Sequence, residues 1–328
     1  MGTFRDFVLA STKRIAMPIA VYPGTALTGA RVLDLVTNPQ AQVGASAALH
    51  SRYRTPAVLT AMDLSVEAEA FGCPIHMTGN EIPTAIGNVV SNLEQAKALA
   101  VPQPGDKRTN VYLETAVLLR KLPDRPFVFG GCIGPFSLAG RLVGLSEACS
   151  LTLTDPDLMH LVLEKSTAFL TAYVKAFKAA GAHGVIMAEP AAGLLSPRSF
   201  STFSSAYVKR VVTAVANDGF TVIFHNCAAK LVHLSAALET GAKVFHFGAP
   251  MDIAGALAKV PPDVLLCGNL DPVAVFLQST PAEVAAKTAQ LLEATRAQRN
   301  FVISSGCDVP PTSPLANLDA FYEAVASH

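Results

Sequence analysis

The chain reads as an α/β protein built as a single parallel (β/α)8 TIM barrel over residues 1–328, and three observations predict it. Short apolar runs alternate with segments that carry helix caps and helical spacing, the order that produces a parallel sheet. The runs are nearly continuous in Val, Ile, Leu and Phe, as expected for strands covered on both faces. Polar residues with chemical capability collect where those runs stop, which is where barrels of this kind keep their active sites.

In order, residues 1–17 read as an N-terminal helical extension, and Pro18-Ile-Ala-Val-Tyr-Pro-Gly24 as the first strand with its turn. Pro56-Ala-Val-Leu-Thr-Ala-Met-Asp63 is the second strand, tipped by a carboxylate. A short helix from an N-cap at Ser65 to the Gly72 stop follows. Residues 73–105, rich in Gly, Pro and Asn, are expected to form a loop excursion over the barrel mouth. Phe127-Val-Phe-Gly-Gly-Cys-Ile-Gly134 is the third strand. Asp155 and Pro156 then open a helix that runs through Leu158, Leu161, Phe169 and Val174 to Gly181. The fourth strand, Gly184-Val-Ile-Met-Ala-Glu189, ends in an acid, and Ser196-Pro197 starts the next helix. Thr221-Val-Ile-Phe-His-Asn-Cys227, Lys243-Val-Phe-His-Phe-Gly248, Val264-Leu-Leu-Cys-Gly-Asn269 and Asn300-Phe-Val-Ile-Ser-Ser305 complete the set. A capping box at Thr280 and Glu283 starts the helix before the last strand, and Ser313-Pro314 starts the closing helix.

Composition excludes several classes. With 51% hydrophobic residues, 15% charged and a formal net charge of zero, the chain lacks the basic face that nucleic acid requires. No stretch reaches the roughly 18 apolar residues of a membrane span, and charge interrupts the first residues where a signal peptide would be apolar. The expectation is a soluble, cytoplasmic protein. Its six cysteines are scattered without a disulfide framework, so they are read as thiols that pack or bind metal.

The fifth and eighth strands focus the chemistry. Alternate residues of a strand share a face, so His225 and Cys227 can point to one place, and the eighth strand can bring Cys307 to it. One imidazole and two thiolates suit zinc and leave a fourth position open. The competing reading is packing, since buried cysteine is common in apolar strands. Glu189 is a candidate metal ligand, proton acceptor or substrate anchor, or else a salt bridge at the mouth. Asp63, His246 and Asn269 are candidate substrate contacts or supports behind the ligands, with His246 alternatively a satisfied core residue. Tyr22 either lines the pocket or closes the barrel beneath the entry loop. Cys132 and Cys267 are read as packing residues.

With these residues placed, the chain resembles the uroporphyrinogen decarboxylase superfamily, in its cobamide-dependent methyltransferase branch. The matching stretches are Val21-Tyr-Pro-Gly-Thr-Ala-Leu-Thr28, Asp63-Leu-Ser-Val-Glu-Ala-Glu69, Gly134-Pro-Phe-Ser-Leu-Ala139, Leu195-Ser-Pro197, Gly268-Asn-Leu-Asp-Pro272 and Gly306-Cys-Asp-Val-Pro310, spread over nearly the whole length. The resemblance implies methyl transfer between a corrinoid (cobalamin) protein and a thiol or another small methyl carrier. It also implies a zinc ion held by His225, Cys227 and Cys307. From their places at the strand ends, Glu189, His246 and Asp63 are the candidates for catalytic roles, and Tyr22 and Asn269 for contacts with the bound cofactor or substrate.

Departures from the family pattern narrow the reading. The decarboxylases' Arg-Gln-Ala-Gly-Arg loop is replaced by Tyr22-Pro-Gly-Thr-Ala-Leu27, so a polycarboxylate would lack its clamp. Ala228-Ala229 stands where many relatives have Gly after the His-x-Cys segment, so acceptor specificity does not carry over. The sequence has no Asp-x-His-x-x-Gly motif, which implies that the corrinoid arrives transiently on a separate protein. The alternatives are a uroporphyrinogen decarboxylase-like lyase, folate-dependent methyl transfer like that of cobalamin-independent methionine synthase, and a barrel that binds a small molecule without turnover.

Overall fold

A computed structural model describes residues 2–216 and 219–328. Eight strands form one parallel sheet: β1 (Ile15–Ala16), β2 (Ala57–Leu59), β3 (Phe127–Ile133), β4 (Gly184–Ala188), β5 (Thr221–Asn226), β6 (Val244–Phe247), β7 (Leu265–Leu270) and β8 (Phe301–Ser305). They are hydrogen-bonded in the order β1-β8-β7-β6-β5-β4-β3-β2, with every pair parallel. The sheet curls into a TIM-barrel-like half-barrel, and β1 and β2 share no ladder among the described residues.

Two expectations about the N-terminal third are corrected. Pro18–Gly24 is not the first strand, because Tyr22–Gly24 forms a 3-10 turn with Pro23 inside it, and a proline ring fixes φ where a ladder needs an N–H. The first strand is Ile15–Ala16, inside the segment expected to be a helical extension; only Phe4–Ala10 of that segment is helical, and Met1 lies outside the described residues. The excursion over 73–105 is not structureless. It holds an antiparallel hairpin, Ile75–His76 against Thr84–Ala85, and a helix at Leu93–Ala98 capped by Asn92. It is fastened to the helix Pro135–Val143 by Val89 and Val90 N–H groups that donate to the Leu142 carbonyl.

Elsewhere local chemistry sets the elements. The Asp155 side chain accepts from Leu158 N and Pro156 opens the helix Pro156–Ala179, which buries Leu158, Val162, Phe169, Tyr173 and Phe177 against the sheet. Each such side chain contributes about 1.5–3 kcal/mol by leaving water. Thr280 and Glu283 form the reciprocal capping box of Pro281–Ala294. Ser65 does not cap Val66–Ala70; its hydroxyl goes to Asp63 instead. No helix among the described residues is long and apolar enough to cross a membrane.

The parallel register fixes the site. His225 of β5 pairs with Ala188 of β4 on one side and His246 of β6 on the other. Asp63, Glu189, Cys227 and Cys307 follow the carboxyl ends of β2, β4, β5 and β8.

Candidate metal centre

His225 is fully enclosed at the end of β5, and Cys227 points the same way two residues on. Cys307 comes from the turn after β8, with its Sγ 3.6 Å from His225 Nε2. One ligand atom from each of His225, Cys227 and Cys307 lies within 4.8 Å of the other two. Both thiols keep some exposure while the imidazole is buried, so the group is approachable from the thiol side. The backbones are close here: a Cβ on Gly248, after β6, would overlap the main chain of Cys227.

The two thiols hold one another. Cys307 donates toward Cys227, which lowers the Cys227 thiol below its ordinary range, while the same contact and burial push Cys307 up to about 12. Two adjacent thiols, one with its pKa lowered by the other, beside an imidazole nitrogen are a soft donor set of the kind that fits zinc.

His225 is backed by His246. Their Nδ1 atoms are 2.8 Å apart, the rings meet edge to face, and His246 Nε2 reaches Ser304 Oγ at 2.8 Å. Burial, then His225, holds His246 well below the usual imidazole range, so it stays neutral.

Glu189 stands apart from this group. Its Oε1 accepts from Phe136 N and Ser204 Oγ and its Oε2 from Ser137 N, all at 2.8 Å. The carboxylate therefore closes the N-terminus of the helix Pro135–Val143, where orphan N–H groups and the helix dipole favour an anion. Burial nonetheless raises its pKa, against the lowering by those donors. Gly134 is required for this contact, since a Cβ there would overlap the carboxylate. No ion pair to Glu189 occurs among the described residues.

Asp63 belongs to a second cluster on the β2 side. Its Oδ1 accepts from Ser65 N and Ser65 Oγ at 2.9 and 2.6 Å, and its Oδ2 from Arg108 at 2.5 Å and Tyr112 at 3.1 Å. Arg108 also donates to Glu69 at 2.6 Å and Ser65 at 2.9 Å. Tyr22 lies beside this cluster, wholly buried, donating to the Met62 carbonyl at 3.2 Å. Asn269 ties β7 to the loop after β6 by donating to the Gly248 and Met251 carbonyls at 3.1 and 2.7 Å. Cys132 and Cys267 are buried in the sheet.

Three functional candidates had no role in the sequence reading. Arg108 sits just before a helix with no local sign of its partners. Glu67 is buried with Oε1 accepting from Ile133 N and Oε2 unpartnered, and burial pushes its pKa up to about 8. Asp308, next to Cys307, has both carboxyl oxygens enclosed and without hydrogen-bond partners, and burial raises its pKa well above the carboxylate range. An acid directly after Cys307 is the one local signal that could have found it.

A parallel eight-stranded sheet with an imidazole and two thiols at its carboxyl ends defines a barrel-type α/β protein with a soft-metal donor set. The chain belongs to the family described as uroporphyrinogen decarboxylase (URO-D), whose profile matches residues 4–328. A methylcobamide:CoM methyltransferase MtbA from Methanosarcina acetivorans is 28% identical over 280 residues, 83% of this chain and 80% of that protein. A uroporphyrinogen decarboxylase from Ectopseudomonas mendocina is 27% identical over 315 residues, 93% of this chain and 88% of that protein. Among solved structures, a methyltransferase from Methanosarcina mazei superposes with a TM-score of 0.87 at 23% identity, covering 98% of this chain and 96% of that one. A B12-independent methionine synthase from a Shewanella species superposes at 0.55 with 13% identity, covering 97% and 96%. These structural likenesses speak to the fold.

Proposed function

We propose that this chain is a zinc-dependent methyltransferase that moves a methyl group between a corrinoid carried by a separate protein and a thiol or other small methyl donor or acceptor. The observation that carries the reading is the convergence of His225, Cys227 and Cys307 within 4.8 Å, with both thiols partly open. The similarity to the methylcobamide:CoM methyltransferase supports it.

The residues present fit zinc, with His225 Nε2, Cys227 Sγ and Cys307 Sγ as its holders. Bound there, zinc would lower the pKa of an incoming thiol while two thiolates keep the complex electron-rich, so that the sulfur stays nucleophilic. The chain's own part is to fix three donors on rigid strand ends and to leave the thiol side approachable. The β2-side cluster and Glu189 hold the mouth in shape. Among the described residues, the guanidinium of the β2-side cluster, Arg108, is already engaged by Asp63 and Glu69.

That last point weighs against the second reading, decarboxylation of a porphyrinogen, which the similarity to uroporphyrinogen decarboxylases raises. A polycarboxylate needs free cationic partners, and Arg108 is neutralised by two acids.

The test is methyl transfer from methylcobalamin to a small thiol, run beside uroporphyrinogen turnover. Thiol methylation by the wild type, abolished in Cys227→Ser, supports the proposal. Carbon dioxide release with no methyl transfer rejects it in favour of the lyase.

A further inference from the structure

Ser304 and His246 lie behind the thiols, take no part in holding the donors directly, and are both fully buried. They sit on β8 and β6, which are separated in the sheet by β7, so their contact crosses the barrel interior. Ser304 Oγ is 2.7 Å from the Met17 carbonyl oxygen, just past β1, and 2.8 Å from His246 Nε2. A carbonyl only accepts, so the single hydroxyl hydrogen of Ser304 goes to Met17. The hydroxyl oxygen is then the acceptor, and His246 Nε2 carries a hydrogen.

The next link is constrained twice. His225 Nδ1 faces the His246 carbonyl oxygen at 3.2 Å as well as His246 Nδ1 at 2.8 Å. The carbonyl again only accepts, which places a hydrogen on His225 Nδ1. A second hydrogen on His246 Nδ1 would confront it, so His246 Nδ1 is bare and accepts. Both ends of the chain thus lead to one arrangement. With its hydrogen on Nδ1, neutral His225 has a free lone pair on Nε2, the atom 3.6 Å from Cys307 Sγ.

We propose that Ser304 and His246 are positioning residues, forming a hydrogen-bond relay from the Met17 carbonyl through Ser304 and His246 to His225 that locks His225 in the tautomer presenting a bare Nε2 to the two thiols. The consequence for metal binding rests on the zinc reading above; the tautomer is a property of the chain by itself. Outer partners of this kind typically change metal affinity by about 10–100-fold when removed. In Ser304→Ala the Nε2–H of His246 loses its acceptor, the other His246 tautomer becomes accessible, and His225 is free to place its hydrogen on Nε2, where it competes with a metal.

The test has two independent readouts. In zinc-free wild type with 15N-labelled histidine, long-range 1H–15N correlation spectra are expected to show Nδ1–H for His225 and Nε2–H for His246. In chelator competition, Ser304→Ala is expected to bind zinc about 10–100-fold more weakly than wild type, with Ser304→Thr, which keeps the hydroxyl, recovering affinity. An Nε2–H tautomer at His225 in the wild type overturns the relay, as does a folded Ser304→Ala protein with unchanged zinc affinity. If Ser304→Ala does not fold, or if wild type takes up no zinc, the wild-type spectrum alone decides. A wild type that takes up no zinc on reloading and still shows the expected tautomers would sink the functional reading and leave the relay standing.

Discussion

At the carboxyl ends of β5 and β8, two thiols and an imidazole meet with bonding capacity left over; at the end of β2, Asp63 and Arg108 have almost none. Asp63 takes four donors from Ser65, Arg108 and Tyr112, and Arg108 gives to three acceptors. Cys227 and Cys307 have each other and the bare edge of His225. Both clusters are assembled at the barrel mouth from residues far apart in sequence, and they differ in what remains unspent. Saturated groups stabilise a shape, and unsaturated soft donors are what a metal or substrate can recruit. Glu189 falls with the first kind, because three donors at a helix N-terminus consume its carboxylate.

The comparison can be broken most forcefully at Arg108. Arg108→Met leaves Asp63 buried without its cation, and we expect a loss of about 3–5 kcal/mol in urea denaturation, the scale for removing one partner of a buried pair. A loss below 1 kcal/mol would show that the β2-side cluster is not structural. Glu189→Gln turns an acceptor toward the N–H groups of Phe136 and Ser137 into a possible donor. The expected cost is about 1–3 kcal/mol, with zinc content unchanged; lost zinc would move Glu189 into the metal cluster.

Glu67 gives the smallest effect at low pH and the clearest pH dependence. Its folded pKa, about 8, lies above the ordinary 4.5, so between those values the folded state holds a proton that the unfolded state releases. That contribution to stability is complete below about 4.5 and is lost as pH rises toward 8. Glu67→Gln is expected to flatten the fall of Tm between pH 5 and 8 while changing little at the lower end. An unchanged slope would mean that the carboxyl titrates normally.

Legibility in the sequence followed the length and periodicity of each element. β3 to β8 are runs of β-branched and aromatic residues between helix signals, and each was readable. β1 has two residues beside the more strand-like run Pro18–Tyr22, so pattern favoured the wrong segment. The hairpin strands Ile75–His76 and Thr84–Ala85 are equally too short to show alternation. In the site, His225 and Cys227 were visible because a strand puts alternate residues on one face. Arg108 was not, since its Asp63 partner is 45 residues away and nothing local to Arg108 announces it. Ser304 was silent for a similar reason: a serine in a buried strand acquires meaning only from the Met17 carbonyl and the His246 ring that the curl of the sheet brings to it.

The central claim, that the unspent donors at β5 and β8 are a zinc site, is tested most directly by elemental analysis of the purified wild type and Cys307→Ser. About one zinc per chain in the wild type, lost in the variant while circular dichroism stays unchanged, is the result this account predicts. A wild type that contains no zinc after purification and reloading, yet still methylates a thiol from methylcobalamin, would contradict it.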